Sequence, residues 1–373
     1  PDVDSIVNSC DSGREGELIF RLVYQQADCK KPFSRLWLSS MEENAIREGF
    51  AHLKPSTEYD ALYNAALCRE RADWMVGINA SRLFSCLYGQ PLAVGRVMTP
   101  VLAMTVVREA AIAAFVPEKF YTVSLTLADG GTASSKRFAQ KADAELLLSK
   151  CRKEGRVTVQ KMERKEKSES PPQLYDLTAL QRDANRLLGF TAQQTLDYAQ
   201  SLYEKRLITY PRTDSRFLTE DMAASLPGLV TDTGRALAVE EPFPIHVQQV
   251  INGSKVTDHH ALIITECLPG ELSADERTVY DMVAARLLEA FSPHCVKEMT
   301  EVALSAGGEI FTLKGAVIKS AGWRAVRGEP EEEVEEATLP ELQTDETLPL
   351  LASETVEKQT KPKPLHTESS LLS

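Results

Sequence analysis

Residues 208–215 read ITYPRTDS, and Tyr210, Arg212 and Asp214 fall on alternate positions within them. Pro211 biases the residue before it towards extended backbone, and on an extended segment alternate side chains share a face. A tyrosine hydroxyl is a weak nucleophile at its usual pKa of about 10. A neighbouring guanidinium stabilises the phenolate and grips a phosphate through paired donors. Attack on a phosphodiester asks for that combination. The same spacing also suits a tyrosine packed in a core beside a surface Arg212–Asp214 ion pair, and spacing alone does not separate the two.

Three further stretches hold chemistry-bearing residues. In DSGREGE (11–17), Asp11, Glu15 and Glu17 follow a short apolar run, at a strand end where open α/β sheets bind ligands. Hard carboxylates there suit Mg²⁺, which takes one or two of them beside phosphate and water, and Arg14 could meet the phosphate. An acidic first helical turn favoured by the macrodipole is the plainer reading. In TDHHALIIT (257–265), Asp258, His259 and His260 could bind a metal, or one imidazole could hydrogen-bond a phosphate; two half-exposed histidines near a helix start fit equally. In VGRVMTPVLAM (94–104), Arg96 lies in a glycine-containing turn before a helix, where backbone donors could hold phosphate. An ordinary helix start is again the alternative.

The surrounding periodicities say what must position these groups. SIVNSC reads as a strand running into a helix, and SRLWLSS as a second strand, followed by a helix beginning at Ser40 with Glu43 in the capping-box position. That alternation predicts part of an α/β domain with a parallel sheet. From Tyr59 to Phe115 the pattern is helical around the turn YGQPLAVGR. TVSLTL and GRVTVQKM alternate as strands, with ADGG a turn between, and TEVALSAGGEIFTLKGAVIKS reads as two more strands around Gly307 and Gly308. These β-rich stretches flank a helical block. In it, Thr178 with Gln181 and Thr191 with Gln194 fit capping boxes, and Ala192, Leu196, Ala199 and Leu202 or Tyr203 share a helix face ending near Lys205 and Arg206.

A chain of 373 residues allows several folding units. It contains no apolar run long enough to span a membrane as a helix. Its seven cysteines are widely spaced without a Cys-x-x-Cys pair, which argues against a disulfide framework or zinc ribbon and for a reducing cytoplasm. The net charge of −12 opposes a nucleic-acid partner at first sight, yet eleven acidic residues and no Lys or Arg lie between Gly328 and Glu357. The rest of the chain is near neutral and has room for a local basic groove; the acidic run reads as a solvated loop or edge.

The order DSGREGELI, GRVMTP, LYEKRLITYPRTDS, DHHALI resembles the type IA DNA topoisomerases, most closely their bacterial topoisomerase III branch. LQRDANRLLGFTAQQTLDYAQ adds to a likeness that covers nearly the whole chain. The resemblance implies a multidomain α/β plus all-α protein with a β-rich arm, in a toroidal architecture with a partial Toprim domain. It implies partial Toprim over 1–55, helical domain over 56–115, hinged β-rich arm over 116–173, tyrosine-bearing helical domain over 174–291, the arm's return over 292–327, and an acidic connector leading into a helical region over 328–373. It implies that Tyr210 attacks single-stranded DNA to form a 5′-phosphotyrosyl link without ATP. Arg212, His259, Glu204 and Arg14 would serve that chemistry, with His260 the alternative histidine. Arg35, Arg69, Arg96 and Asp214 would meet DNA, and Asp11 and Glu15 would hold Mg²⁺. A helicase partner stays open.

The chain departs from the pattern where Gly13 replaces a second Asp, Met98 a Gln, and Ile264 a Pro. The resemblance also implies a strand with Glu and Lys before Pro1 and a continuation after HTESSLLS, so the 373-residue chain alone is expected not to complete relaxation. Two other readings carry different expectations: a manganese phosphoesterase built on DHH, releasing free ends, and a non-catalytic module binding single strands or a partner.

Overall fold

The computed structural model describes residues 3–38, 43–128, 131–239, 245–256, 258–328, 339 and 342–373. Strand β1 (Ile6–Asn8) leads into helix α1 (Arg14–Gln26); β2 (Phe33–Arg35), α2 (Glu43–Ala51) and the short β3 (Lys54–Pro55) complete a small α/β unit. β1 and β2 pair in parallel, as the alternation predicts, and β3 pairs antiparallel with β2. The expected cap at Ser40 lies outside the described residues. Two long helices follow, α3 (Asp60–Tyr88) and α4 (Met98–Ala113), joined by a turn held through Ser81 and Ser85.

The β-rich stretches form one closed barrel. Its strands are β4 (Lys119–Leu127), β5 (Thr132–Ser134), β6 (Arg156–Glu169), β7 (Cys295–Ala306), β8 (Glu309–Ser320) and β9 (Thr347–Gln359), in the order β4-β5-β8-β7-β6-β9. In that order every strand has a neighbour on both sides. Helix α5 (Lys141–Glu154) lies between β5 and β6 and buries Ala144, Leu147, Leu148 and Cys151, one helical stripe, against the barrel core. Between β7 and β8 the backbone turns at Gly307 and Gly308, both at positive φ.

Part of the run expected as an acidic connector is instead β9, which pairs with β4 along its length and with β6 at its start. Its acidic residues did not forbid a strand, because Glu354 and Glu357 are exposed to solvent and Glu357 meets Lys119.

The tyrosine-bearing unit contains α6 (Leu177–Leu188), α7 (Ala192–Glu204), α8 (Leu226–Ala236) and α9 (Ala274–Phe291); a final short helix, α10 (Glu368–Leu371), touches α6. α9 is the central post, with Val279, Val283, Ala284, Leu287, Leu288 and Phe291 buried. Against it pack Leu180 and Ala184 from α6, and Ala199 and Leu202 from α7. The Thr191–Gln194 capping box forms as its spacing predicts. The expected box at Thr178 does not: α6 begins two residues earlier, and Asp176 caps it by accepting from the Ala179 N–H. The Leu177 N–H is held by the Thr213 carbonyl, which sets that start.

Candidate active site

Beyond α7 the chain turns through Lys205 and Arg206, the latter at positive φ, and enters Leu207–Ile208, which are buried. The apolar run Ala261–Ile264 is buried too, and the two runs pair: Ile208 bridges Ile264, the Thr209 N–H donates to the Ile263 carbonyl, and the Thr265 N–H to that of Leu207. Apolar burial therefore brings ITYPRTDS alongside DHHALIIT, two segments about fifty residues apart. Hydroxyls then fix the register. The Ile263 N–H donates to Thr209 Oγ1 at 3.0 Å, and Thr213 Oγ1 donates to the His259 carbonyl at 2.9 Å.

In that segment Pro211, Thr213 and Ser215 are buried while Arg212 and Asp214 are exposed and Tyr210 is half-buried. The alternation expected of an extended backbone is present. The Tyr210 ring lies 4.5 Å from the His259 ring, between centroids, and meets Tyr203 edge-on at 5.3 Å. Arg212 Nη1 reaches Gln200 Oε1 at 3.4 Å, and Gln200 Nε2 donates to Glu204 at 3.0 Å, so Glu204 is linked to Arg212 through an amide.

Across from these groups stands the strand end of the α/β unit. His259 Nε2 is 3.9 Å from Asp11 Oδ2. A cavity of about 270 Å³ separates the two units. Asp11, Ser12 and Cys10 line it on one side, and Tyr203, Tyr210 and His259 on the other. Arg206 and Thr265 also line it; both lie within the quoted stretches, Arg206 as a helix-end cation with left-handed backbone, but neither stands among the expected site residues.

The two histidines differ. His260 is turned inward, its Nδ1 against the Ala261 carbonyl at 2.8 Å, and burial pulls its pKa below the usual imidazole value. It lines the cavity as well, with its ring turned towards its own backbone. A manganese site on DHH is not formed: among the described residues no three His, Cys, Asp or Glu side chains converge to hold a metal.

The acidic motif splits as well. Glu17 does not join Asp11 at the opening. It is fully buried and accepts from Asn8, Arg21 and pairs with Arg35. Arg35, expected at the DNA backbone, is likewise fully buried. Its guanidinium donates to the carbonyls of Asn8, Cys10, Asp11 and Leu36. That arrangement corrects the expectation: Arg35 shapes the strand end from beneath and has no face for a phosphate. Arg14 is exposed at the start of α1; Arg69 pairs with Glu15 at 2.9 Å, and Arg96 with Asp73 at 3.1 Å.

For a divalent cation the donors on this side are Asp11, exposed at the cavity, and Glu15, engaged by Arg69. Gly13 between them has no side chain, but its Cβ space is filled: a Cβ there would stand 2.0 Å from Asp258 Oδ2. Burial and the nearby Asp214 and Asp11 charges push the Asp258 carboxyl up, while His259 and Arg14 pull it down. Among the described residues on this side, Asp11 alone presents an exposed hard oxygen at the cavity, of the kind Mg²⁺ takes beside phosphate and water.

Comparisons with known proteins agree on a family. A family model described as DNA topoisomerase matches residues 57–373. DNA topoisomerase 3 of Bacillus subtilis (strain 168) is 40% identical over 398 residues, taking in all of this chain and 54% of that protein. The Bacillus licheniformis and Shouchella clausii proteins of the same name are 38% and 37% identical, with 54% and 53% of their lengths covered. The chain thus spans about half the length of the curated relatives it matches. Full-length topoisomerase I from Thermotoga maritima superposes with a TM-score of 0.76 over 97% of this chain and 61% of that one; at 24% identity the likeness shows the fold.

Proposed function

Because the chain belongs to the DNA topoisomerase family, in its type IA branch, we propose that it cuts and rejoins single-stranded DNA through Tyr210. The observation that carries this reading is the meeting of Tyr210, His259 and Asp11 at one cavity, with Arg212 exposed two residues along.

The Tyr210 oxygen attacks the phosphorus of a phosphodiester and loses its proton to solvent. The bond from phosphorus to the 3′ oxygen breaks, and that oxygen takes a proton from solvent and leaves as the 3′-hydroxyl. The 5′ end stays on the tyrosine. The phosphotyrosyl bond conserves the energy of the broken link, so the 3′-hydroxyl reverses the step without ATP. Arg212 counters the charge that develops on the phosphate. Glu204 orients Arg212 through Gln200, in keeping with the hydrogen bonds between them. His259 binds the phosphate; the inward turn of His260 supports that choice. Arg14 meets the phosphate from the strand end, while Arg69, Arg96 and Asp214 border the DNA path. Mg²⁺, held by Asp11, would neutralise phosphate charge there. Glu15 is available to it only on release from Arg69. The whole protein encloses the passing strand in a toroid whose barrel arm swings, and works in the bacterial cytoplasm.

The test is denaturant trapping on a single-stranded oligonucleotide. A 3′-label should stay on the protein and a 5′-label should not, and Tyr210→Phe should give no adduct. Equal adduct from both proteins rejects the assignment. Free ends without adduct favour a phosphoesterase.

A further inference from the structure

Two threonine hydroxyls, one on each side of Tyr210, strap its segment to the histidine segment. Thr209 Oγ1 accepts from the Ile263 N–H at 3.0 Å and donates to the Ala261 carbonyl at 3.3 Å. Thr213 Oγ1 donates to the His259 carbonyl at 2.9 Å and accepts from the Ser215 N–H at 3.1 Å. Thr213 is the one placed to act on the histidine itself. It is only 6% exposed, so water has little access to replace either of its bonds. Its own carbonyl receives the Leu177 N–H at 3.1 Å, at the start of α6, where Asp176 also pairs with Arg216 at 2.6 Å. The threonine is thus anchored to a capped helix and offers its hydroxyl to His259. Beyond the histidines the segment is held by backbone pairing: the Ala261 N–H donates to the Phe217 carbonyl and the Leu262 N–H to that of Tyr175. At His259, among the described residues, the Thr213 hydroxyl makes the one hydrogen bond to the backbone. That tether leaves the His259 ring 4.5 Å from the Tyr210 ring and its Nε2 3.9 Å from Asp11.

We propose that Thr213 is a positioning residue for strand cleavage: its hydroxyl sets His259 where the imidazole meets the phosphate that Tyr210 attacks, and it serves the chemistry only through that histidine. The proposal rests on the topoisomerase reading of the site. What the position needs is the hydroxyl. Valine matches the shape of threonine but leaves the His259 carbonyl and the Ser215 N–H without their partner, whereas serine keeps both bonds. A group that binds a reacting phosphate loses much of its effect when displaced by about 1 Å, so freeing the His259 backbone weakens cleavage although no group that touches DNA has been removed.

A double-mutant cycle on the full chain reads this, measured as the rate of adduct formation at saturating single-stranded oligonucleotide, with thermal unfolding confirming that each variant is folded. Thr213→Val should slow the rate by about tenfold or more, and Thr213→Ser should stay within about threefold of wild type. His259→Ala should be slow as well, and adding Thr213→Val to it should change the rate by less than about twofold, because no histidine is left to position. A threonine with a purely structural role would cost the same factor in both backgrounds. That result, a wild-type rate in Thr213→Val, or a Thr213→Ser rate no better than that of Thr213→Val overturns the proposal. A second measurement needs no DNA. The Tyr210 ring current displaces the His259 Hε1 resonance, which isotope-labelled histidine makes visible and His259→Ala assigns. Tyr210→Leu should move that resonance in wild type and in Thr213→Ser, and clearly less in Thr213→Val; equal movement in all three overturns the proposal. Absence of adduct from wild type would strike the topoisomerase reading, and the resonance would still decide whether Thr213 places the histidine.

Discussion

The tyrosine-bearing unit and the two long helices α3 and α4 spend similar apolar residues in opposite ways. In α9 the apolar residues turn inward on nearly every side, and α6 and α7 close over them. In α4 no residue is buried, and Leu102, Met104, Val106 and Val107 stand more than two-fifths exposed; in the 29 residues of α3 only Ala66 is buried. Trp74, Leu87 and Tyr88 extend that open apolar surface along α3. A helix apolar on most sides needs neighbours on most sides, and a continuous open apolar face marks an interaction surface. The unit that positions Tyr210 is therefore self-sufficient, whereas α3 and α4 carry a surface made to be covered. Helix starts repeat the contrast. Asp176, Thr191 and Ser273 cap α6, α7 and α9 through their side chains, while Tyr59 and Val97, ahead of α3 and α4, provide no such bond.

The contrast breaks most readily by cavity formation. Leu202→Ala, in the fully buried core of the tyrosine unit, should cost about 2–5 kcal/mol in denaturant unfolding. Leu102→Ala on the open face should stay within about 0.5 kcal/mol of wild type. Comparable losses at the two sites would show that α4 is covered after all. A smaller effect sharpens the comparison at the helix starts: Thr191→Ala removes the α7 cap and should cost about 1 kcal/mol in the same measurement.

The smallest effect is a pH slope. Glu276 closes the α9 capping box and accepts from Lys205 and Ser201 of the α7 segment, and these bonds hold its carboxyl down at about 2. Because the unfolded carboxyl titrates near its ordinary value of about 4.3, the unfolded chain binds the proton first as pH falls. The stability Glu276 contributes is therefore complete above the unfolded value and drains away towards the folded one. Glu276→Gln should flatten the dependence of unfolding free energy on pH between those values; an unchanged slope would show that the tie between α7 and α9 carries no charge-dependent stability.

The contrast between neighbouring and distant contacts also separates what was legible in the chain from what was not. Patterns confined to neighbouring residues could be read directly. The alternation of Tyr210, Arg212 and Asp214, the Thr191–Gln194 box and the turn at Gly307–Gly308 each depend on a handful of adjacent positions. Thr178 misled because the start of α6 is set by the Leu177 N–H, which donates to the Thr213 carbonyl thirty-odd residues away. β9 was hidden in an acidic run because strand pairing with β4 depends on the partner's register and not on local charge.

By itself the sequence determined which groups were available for chemistry and which local conformations would present them, since side-chain type, proline and capping act over a few residues. Tertiary structure alone decided their company. Apolar burial paired residues 207–208 with 261–264 and so set His259 against Tyr210; it also took Glu17 and Arg35 out of the opening and seated Asp258 in the space beside Gly13. The reason is that burial and long-range pairing are properties of surfaces that meet only once the chain has folded, and no spacing along it records which carboxylate will be covered and which will face the substrate.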